Sequence, residues 1–470
     1  MKILQTLVIA AVGLITANFA SATTTIYIVG SNGDRGATLT GIANILTGDW
    51  YFRGNQGNAS KVSGVSTNWT STGAQGSNYG VFNGTYGGVN VVVKTSFIGA
   101  AGAVAAVAAH DQVNNPNATP RFTVSNGTDS VTVVDLYDPT VNAQQGTDYE
   151  LHTANFGLST NFQATTPYNG TFNGQVYDAL TQETVGISPL IFIASAGFPA
   201  GKNLTTQLAQ LLWSTGALPL SYFTGDWVNG DQNKIVYALG RNTDAGQRYG
   251  TYAEFGLGAQ AVVNVFKPVI TPSSQTTTNN IVSGGTVATH DRWPAENVGG
   301  VASPLGSGGF QTGANLAPFL TATLLPAAYK TTYLDPDLGQ NVDTYPNATA
   351  GYYIGYLTPS DALSRVLDIN SSGVVQNNIS AGNRGVVLSW NGVSYDFAAG
   401  NNLKNGQYTA WLYNRLLKRI PDGLDATTSA FYTSLKSQIS TSTATSGGGL
   451  KDDTSVKVKK TVDGGLVTSK

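Results

Sequence analysis

Short apolar runs alternate with amphipathic stretches along most of this chain. Thr25–Val29, Val89–Thr95, Ser188–Ala194, Ile235–Leu239 and Tyr352–Leu357 are nearly continuous runs of aliphatic, β-branched and aromatic residues, the pattern of strands buried on both faces. Elsewhere apolar residues recur at helical spacing. Leu39, Ile42, Ala43 and Leu46 form one such face behind a Thr38 cap, and Leu204, Leu208, Leu211 and Leu212 another behind an Asn203 cap. Trp411, Leu412, Leu416 and Ile420 predict a helix over 407–420, and Phe431, Leu435 and Ile439 a last one. The alternation predicts an α/β fold in two lobes with loop or β insertions. Residues 54–88, rich in Gly, Ser, Asn and Thr, read as a long loop or an added hairpin. From Ser440 onward apolar residues thin out, and a disordered tail over 440–470 is expected.

Three strand ends run into a small-residue turn and then a helix: Gly30–Gly36, Ser96–Gly102 and Gly240–Gln247. A helix start at a strand end gathers free backbone N–H groups and a positive dipole end, which suits an anion. In the third joint Asp244 precedes the helix and Gln247 follows by three residues, the spacing of a capping box. Arg241 and Arg248 flank it, the arrangement of an anion site made without a metal. The same residues also fit a plain turn whose arginines are solvated or bridge to carboxylates.

Composition narrows the function. Of 470 residues 41% are hydrophobic, enough for a proper core, but only 11% are charged, well below the about 25% of ordinary globular chains. A net charge of −2 offers no field for nucleic acid or an anionic membrane. Cysteine is absent, so disulfides and thiolate chemistry are excluded. His110, His152 and His290 lie far apart in no metal or triad pattern, and Ser125 and Ser188 sit in no nucleophile elbow. The reading is a binding protein, not an enzyme, with no cofactor and no metal. Met1–Ala22 has the form of a secretory signal: Lys2, an apolar Ile3–Ile15 run, and Ala20-Ser21-Ala22 as cleavage site. A periplasmic or extracellular protein with no stable membrane insertion is expected.

Taken in order over about Thr25 to Arg419, these segments resemble the periplasmic phosphate-binding proteins of ABC transporters, a type II substrate-binding fold. Gly36-Ala37-Thr38-Leu39 resembles the family's opening G-A-T-F loop, and Gly99 to Val104 its G-S-G-A-G-I turn. Asn203-Leu204-Thr205 with Trp213 is similar to its N-L-T stretch, and Arg241 to Gln247 to its R-x-D-G-S-G-T motif. Gly351–Tyr356 resembles the strand that crosses back to the first lobe. Trp390-Asn391-Gly392-Val393 and Asn405-Gly406-Gln407-Tyr408 with Trp411 resemble its late N-G-V and N-G-x-Y-P-L-W segments. The resemblance implies a signal peptide over 1–22, lobe 1 over 23–188, lobe 2 over 189–350 and a return to lobe 1 over 351–439. It also implies a phosphate-like anion as ligand and an ABC permease as partner. Implied ligand residues are Thr38, Leu39, Ala100, Asn126, Arg241, Asp244, Gly246, Gln247 and Arg248. The chain departs from the family where Ala100, Ala245 and Gln247 replace hydroxyl residues and Asn126 replaces an aspartate. Each lost hydrogen bond to a charged ligand costs roughly 1.5–3 kcal/mol. The pocket therefore takes a different ligand, with Arg35, Gln247 and Arg248 as new donors, or the fold serves as a cell-envelope or surface protein with little anion binding.

Overall fold

The computed structural model describes residues 23–67, 73–109, 121–123, 149–151, 154–274, 284–298, 301–330, 332–336, 338–343, 345–369, 375–376, 385–441 and 448–470. The expected signal segment, His110, His152, Ser125 and Asn126 lie outside the described residues.

The first-lobe strands are Thr24–Gly30 (β1), Thr47–Gly54 (β2), Gly57–Val62 (β3), Val65–Thr67 (β4), Tyr79–Tyr86 (β5), Val89–Ser96 (β6), Phe156–Ser159 (β7) and Leu180–Pro189 (β8). The second lobe uses Ile191–Ala194 (β9), Ala217–Pro219 (β10), Lys234–Ala238 (β11), Ala350–Leu357 (β12) and Val386–Val387 (β13). Trp411–Arg419 (β14) returns to the first lobe. The helices that matter below are Arg35–Ile45 (α1), Ala100–Ala108 (α2), Thr206–Thr215 (α3), Gly246–Glu254 (α4), Gly313–Leu316 (α5), Pro359–Arg365 (α6) and Ala426–Thr441 (α7).

The protein is mixed α/β, with a sheet in each lobe. The nine-stranded sheet runs β8-β14-β7-β1-β6-β5-β2-β3-β4, and the five-stranded sheet runs β10-β11-β12-β9-β13. β1 pairs in parallel with β6 and β7, and β11 with β12, while the remaining pairs in the two sheets are antiparallel. Within 54–88, which read as loop or hairpin, the described strands β3, β4 and β5 extend the first sheet. On that sheet α1 lies against α7, burying Leu39, Ile42, Phe431 and Leu435 in one cluster. Gly41 lets them approach, since a Cβ there would sit 3.0 Å from Leu435 Cδ1.

The lobes are joined twice, side by side. β8 runs into β9 through Pro189-Leu190, and the chain returns through Ala410-Trp411; Leu190 N donates to the Ala410 carbonyl at 3.0 Å. Three expectations change here. The stretch 407–420 is not a helix: its core is β14, with seven successive buried residues from Trp411 to Leu417. Leu416 and Leu417 enter different clusters on opposite faces of the sheet, so a two-sided apolar run had mimicked a helical face. The strand at 350–357 does not cross back, but pairs with β9 and β11 inside the second sheet. Residues 448–470 are packed rather than disordered, with Val456 and Val458 in the second-lobe core and Lys460 and Asp463 buried. Their few apolar side chains and paired charges suffice because they lie on a finished surface.

Candidate functional site

A cavity of about 280 Å³ lies between the lobes, at the ends of β1, β6, β8 and β11. One wall comes from the β1–α1 loop, Gly99-Ala100, Thr160, Ser188 and Asn414; the other from Arg241, Ala245-Gly246-Gln247, the start of α5 and the start of α6.

The β1–α1 loop is built by Ser31, whose Oγ accepts from Asp34 N at 3.2 Å. Asp34 sits at the helix start without making a side-chain cap. It is 1% exposed, and its Oδ2 has no hydrogen-bond partner. Burial pushes its carboxyl up to about 6, against the pull of Ser31. Arg35 donates from Nη1 to Asn78 Oδ1, which aims it along the wall. Thr38 is one turn further in: it does not cap α1, and its Oγ1 donates to the Asp34 carbonyl at 2.7 Å. Neither Thr38 nor Leu39 lines the cavity; Leu39 is core.

The second joint is arranged differently. Gly99 has φ +127° and leads into α2 with Ala100 at the cavity. Two of the N–H groups of this helix start are taken by the other lobe. Ala101 N donates to the Asp244 carbonyl at 2.9 Å and Gly102 N at 3.4 Å. Asp244 is therefore an inter-lobe strut, and it does not line the cavity.

At the third joint the capping box does not form. α4 begins at Gly246, and no side chain caps it. Gln247 instead accepts from Arg241 Nη1. Arg241 is the residue held most completely toward the cavity: its Nε donates to the Phe310 carbonyl at 3.0 Å and its Nη2 to the Gln311 carbonyl at 2.7 Å. Its main-chain N–H donates to Tyr356 Oη at 3.1 Å. Burial lowers its pKa, but a guanidinium stays charged. Gly246 is where the lobes touch, since a Cβ there would lie 2.3 Å from Asn161 Oδ1 and 2.4 Å from Thr160 Oγ1. Arg248 points away from the cavity and is spent on carbonyls: Nη1 on Arg241 at 2.9 Å and Ser307 at 2.8 Å, Nη2 on Leu305 at 2.9 Å.

Of the residues expected at the site, the structure brings Ala100, Arg241, Gly246 and Gln247 to the cavity, and places Thr38, Leu39, Asp244 and Arg248 behind it. Sequence reasoning missed Asp34, Ser188, Asn414 and α6 with its cap, Thr358 to Arg365. The α6 start carried a signal: Thr358 followed by Asp361 is a cap pattern after an apolar strand, and Thr358 Oγ1 accepts from Asp361 N at 3.4 Å. Asp361 pairs with Arg365 Nε at 3.5 Å. The cavity thus presents three guanidinium groups and two carboxylates among hydroxyls, a polar lining with a net positive balance. No group of three or more metal-ligating side chains occurs among the described residues, and no described helix is long and apolar enough to cross a membrane.

No protein-family model matches the chain, and no curated protein matches it. Among solved structures it is similar to a Clostridium perfringens protein assigned as a phosphate ABC transporter substrate-binding protein, with bound phosphate, at 10% identity and a TM-score of 0.33 over 92% of this chain and 100% of that one. It is also similar to an ABC-type phosphate transport receptor from Vibrio cholerae, at 10% identity and a TM-score of 0.34 over 88% of this chain and 94% of that one. At these values no ligand, residue role or partner is carried across, and the chain stands as a two-lobed α/β protein with an arginine-bearing cavity between its lobes.

Proposed function

We propose that this is an exported solute-binding protein that holds a small anionic solute between its lobes. The observation that carries the reading is Arg241, fixed through Nε and Nη2 by the Phe310 and Gln311 carbonyls at the mouth of a cavity that both lobes line. A buried guanidinium with a prepaid orientation loses little entropy on pairing with an oxyanion. Arg35 and the hydroxyls of Ser31, Thr160 and Ser188 face it from the first lobe. A phosphate-like anion fits this chemistry, and delivery to an ABC permease would be the consequence.

Isothermal titration with phosphate, sulfate and phosphonates tests it. Saturable one-to-one heat with at least one anion is expected, weakened about tenfold or more by Arg241→Ala. No heat with any of them sinks the reading. A second reading, an envelope or surface protein with little anion binding, is favoured by two donors already in use: the α2 start bonded to Asp244 and Arg241 bonded to Gln247.

A further inference from the structure

The segment 448–470 touches both lobes and the joint between them. Leu450 and Ile187 exchange two backbone hydrogen bonds of 2.8 Å, just before β8 leaves the first sheet. Gly448 stands against α6 of the second lobe, where a Cβ would be 3.1 Å from Pro359 Cβ. Lys460 then sits on the returning crossing itself, its Nζ donating to the Thr409 carbonyl at 2.6 Å and the Trp411 carbonyl at 3.1 Å. The same ammonium pairs with Glu254 at the end of α4, with side chains 1% and 6% exposed. Gly464 N donates to Glu254 Oε1 at 3.0 Å. Asp463 accepts from Phe162 N at 3.0 Å and from Asn161 Nδ2 at 3.3 Å, beside Thr160 on the cavity wall.

We propose that residues 448–470 form a clasp that sets how readily the two lobes separate and holds both walls of the cavity in register. Its anchors fall on three different bodies: the first-lobe loop at 161–162, the end of α4, and the crossing at 409–411. Lobe opening about Pro189-Leu190 and Ala410-Trp411 changes the distances among those bodies, so the clasp must loosen at one anchor at least. A buried Lys–Glu pair and a buried Asp are tolerable only while paired and bonded. On release they regain water, while Leu450, Val456 and Val458 lose apolar cover. Asp463 and Lys460 are thereby positioning residues: Asp463 acts through Asn161 on Thr160, and Lys460 through Glu254 on the helix that begins at Gly246. The consequence for ligand release rests on the solute-binding reading; the clasp itself does not.

Two variants of the full protein loosen it. Gly464 has φ +69°, and a Cβ there would lie 2.2 Å from the Ala253 carbonyl oxygen, so Gly464→Ala prises the segment off α4. Ending the chain at 447 removes the clasp. Leu466→Ser, at a position 87% exposed, is the control. Small-angle scattering without ligand should show a larger radius of gyration for the first two and none for the control. If phosphate binds, its dissociation should quicken about tenfold or more. Unchanged scattering of the loosened variants overturns the clasp, whether or not any anion binds. Should the shortened chain fail to fold, Asp463→Asn decides: faster hydrogen exchange at the Phe162 amide supports the clasp, and unchanged exchange contradicts it. Absence of phosphate heat with intact scattering differences defeats only the ligand reading.

Discussion

The β1–α1 loop and the β6–α2 loop share one design, a parallel strand running into a glycine turn and a helix start, yet they do opposite work. At α2 the Ala101 and Gly102 N–H groups are consumed by the Asp244 carbonyl of the other lobe. At α1 a buried aspartate and a half-held arginine stand on the cavity wall. The difference lies in what faces each turn. Gly99, at φ +127°, has no side chain, and a Cβ would sit 2.4 Å from the Asp244 oxygen. A backbone thus enters where an anion could have been held. Helix starts supply donors; tertiary packing decides whether a ligand or another loop receives them.

The comparison breaks most sharply at Gly99. Gly99→Val brings both a strained backbone and a clash with Asp244, and a loss of about 4 kcal/mol is expected in denaturant unfolding. A change under about 1 kcal/mol would mean that the strut carries no weight.

Asp34 sharpens the other side. Its carboxyl is raised from 3.8 to about 6 by burial. The folded protein keeps a proton that the unfolded chain releases in that window, so the group's contribution is fully present below pH 3.8 and is lost as the pH rises through about 6. Asp34→Asn removes that loss, and a gain of about 3 kcal/mol at neutral pH is expected from thermal unfolding followed across pH. Anion affinity should fall in the same window, as a negative charge appears on the wall, and the variant should lack that fall.

Smaller still is the effect of Arg241→Ala on affinity, about 2 kcal/mol for a charged hydrogen bond, with the stability of the fold little changed. Arg365→Ala is the weakest. Its partner Asp361 and Arg365 itself are partly exposed, so unfolding should shift by less than about 1 kcal/mol.

Much of the scaffold was legible. The runs at β1, β6 and β11 are strands, legible because a short unbroken apolar run between turn residues marks burial on both faces, and the faces of Leu39 to Leu46 and Phe431 to Ile439 are helical, because one-sided burial writes its period into sequence. Arg241 was legible as a cavity residue because it follows a buried strand. What failed was set by contacts distant in sequence. Trp411 to Leu417 is wet on neither face, so its spacing carries no information about which element it forms. Asp244 and Gln247 have cap spacing, but one is drawn into the strut and the other onto Arg241. Lys460 reads as a solvated charge in a polar tail, and only the fold brings Glu254, 206 positions away, to meet it. Asp34 and Asp361, each at a helix start, gain meaning from sharing the cavity with guanidinium groups.

The most direct test is calorimetric titration of phosphate into the protein and into Arg241→Ala, each below and above pH 6. Saturable heat that is stronger below pH 6 and falls about tenfold or more in the variant is the predicted result. Equal binding by both proteins at either pH would show that an anion, if held at all, is held somewhere other than the cavity at Arg241.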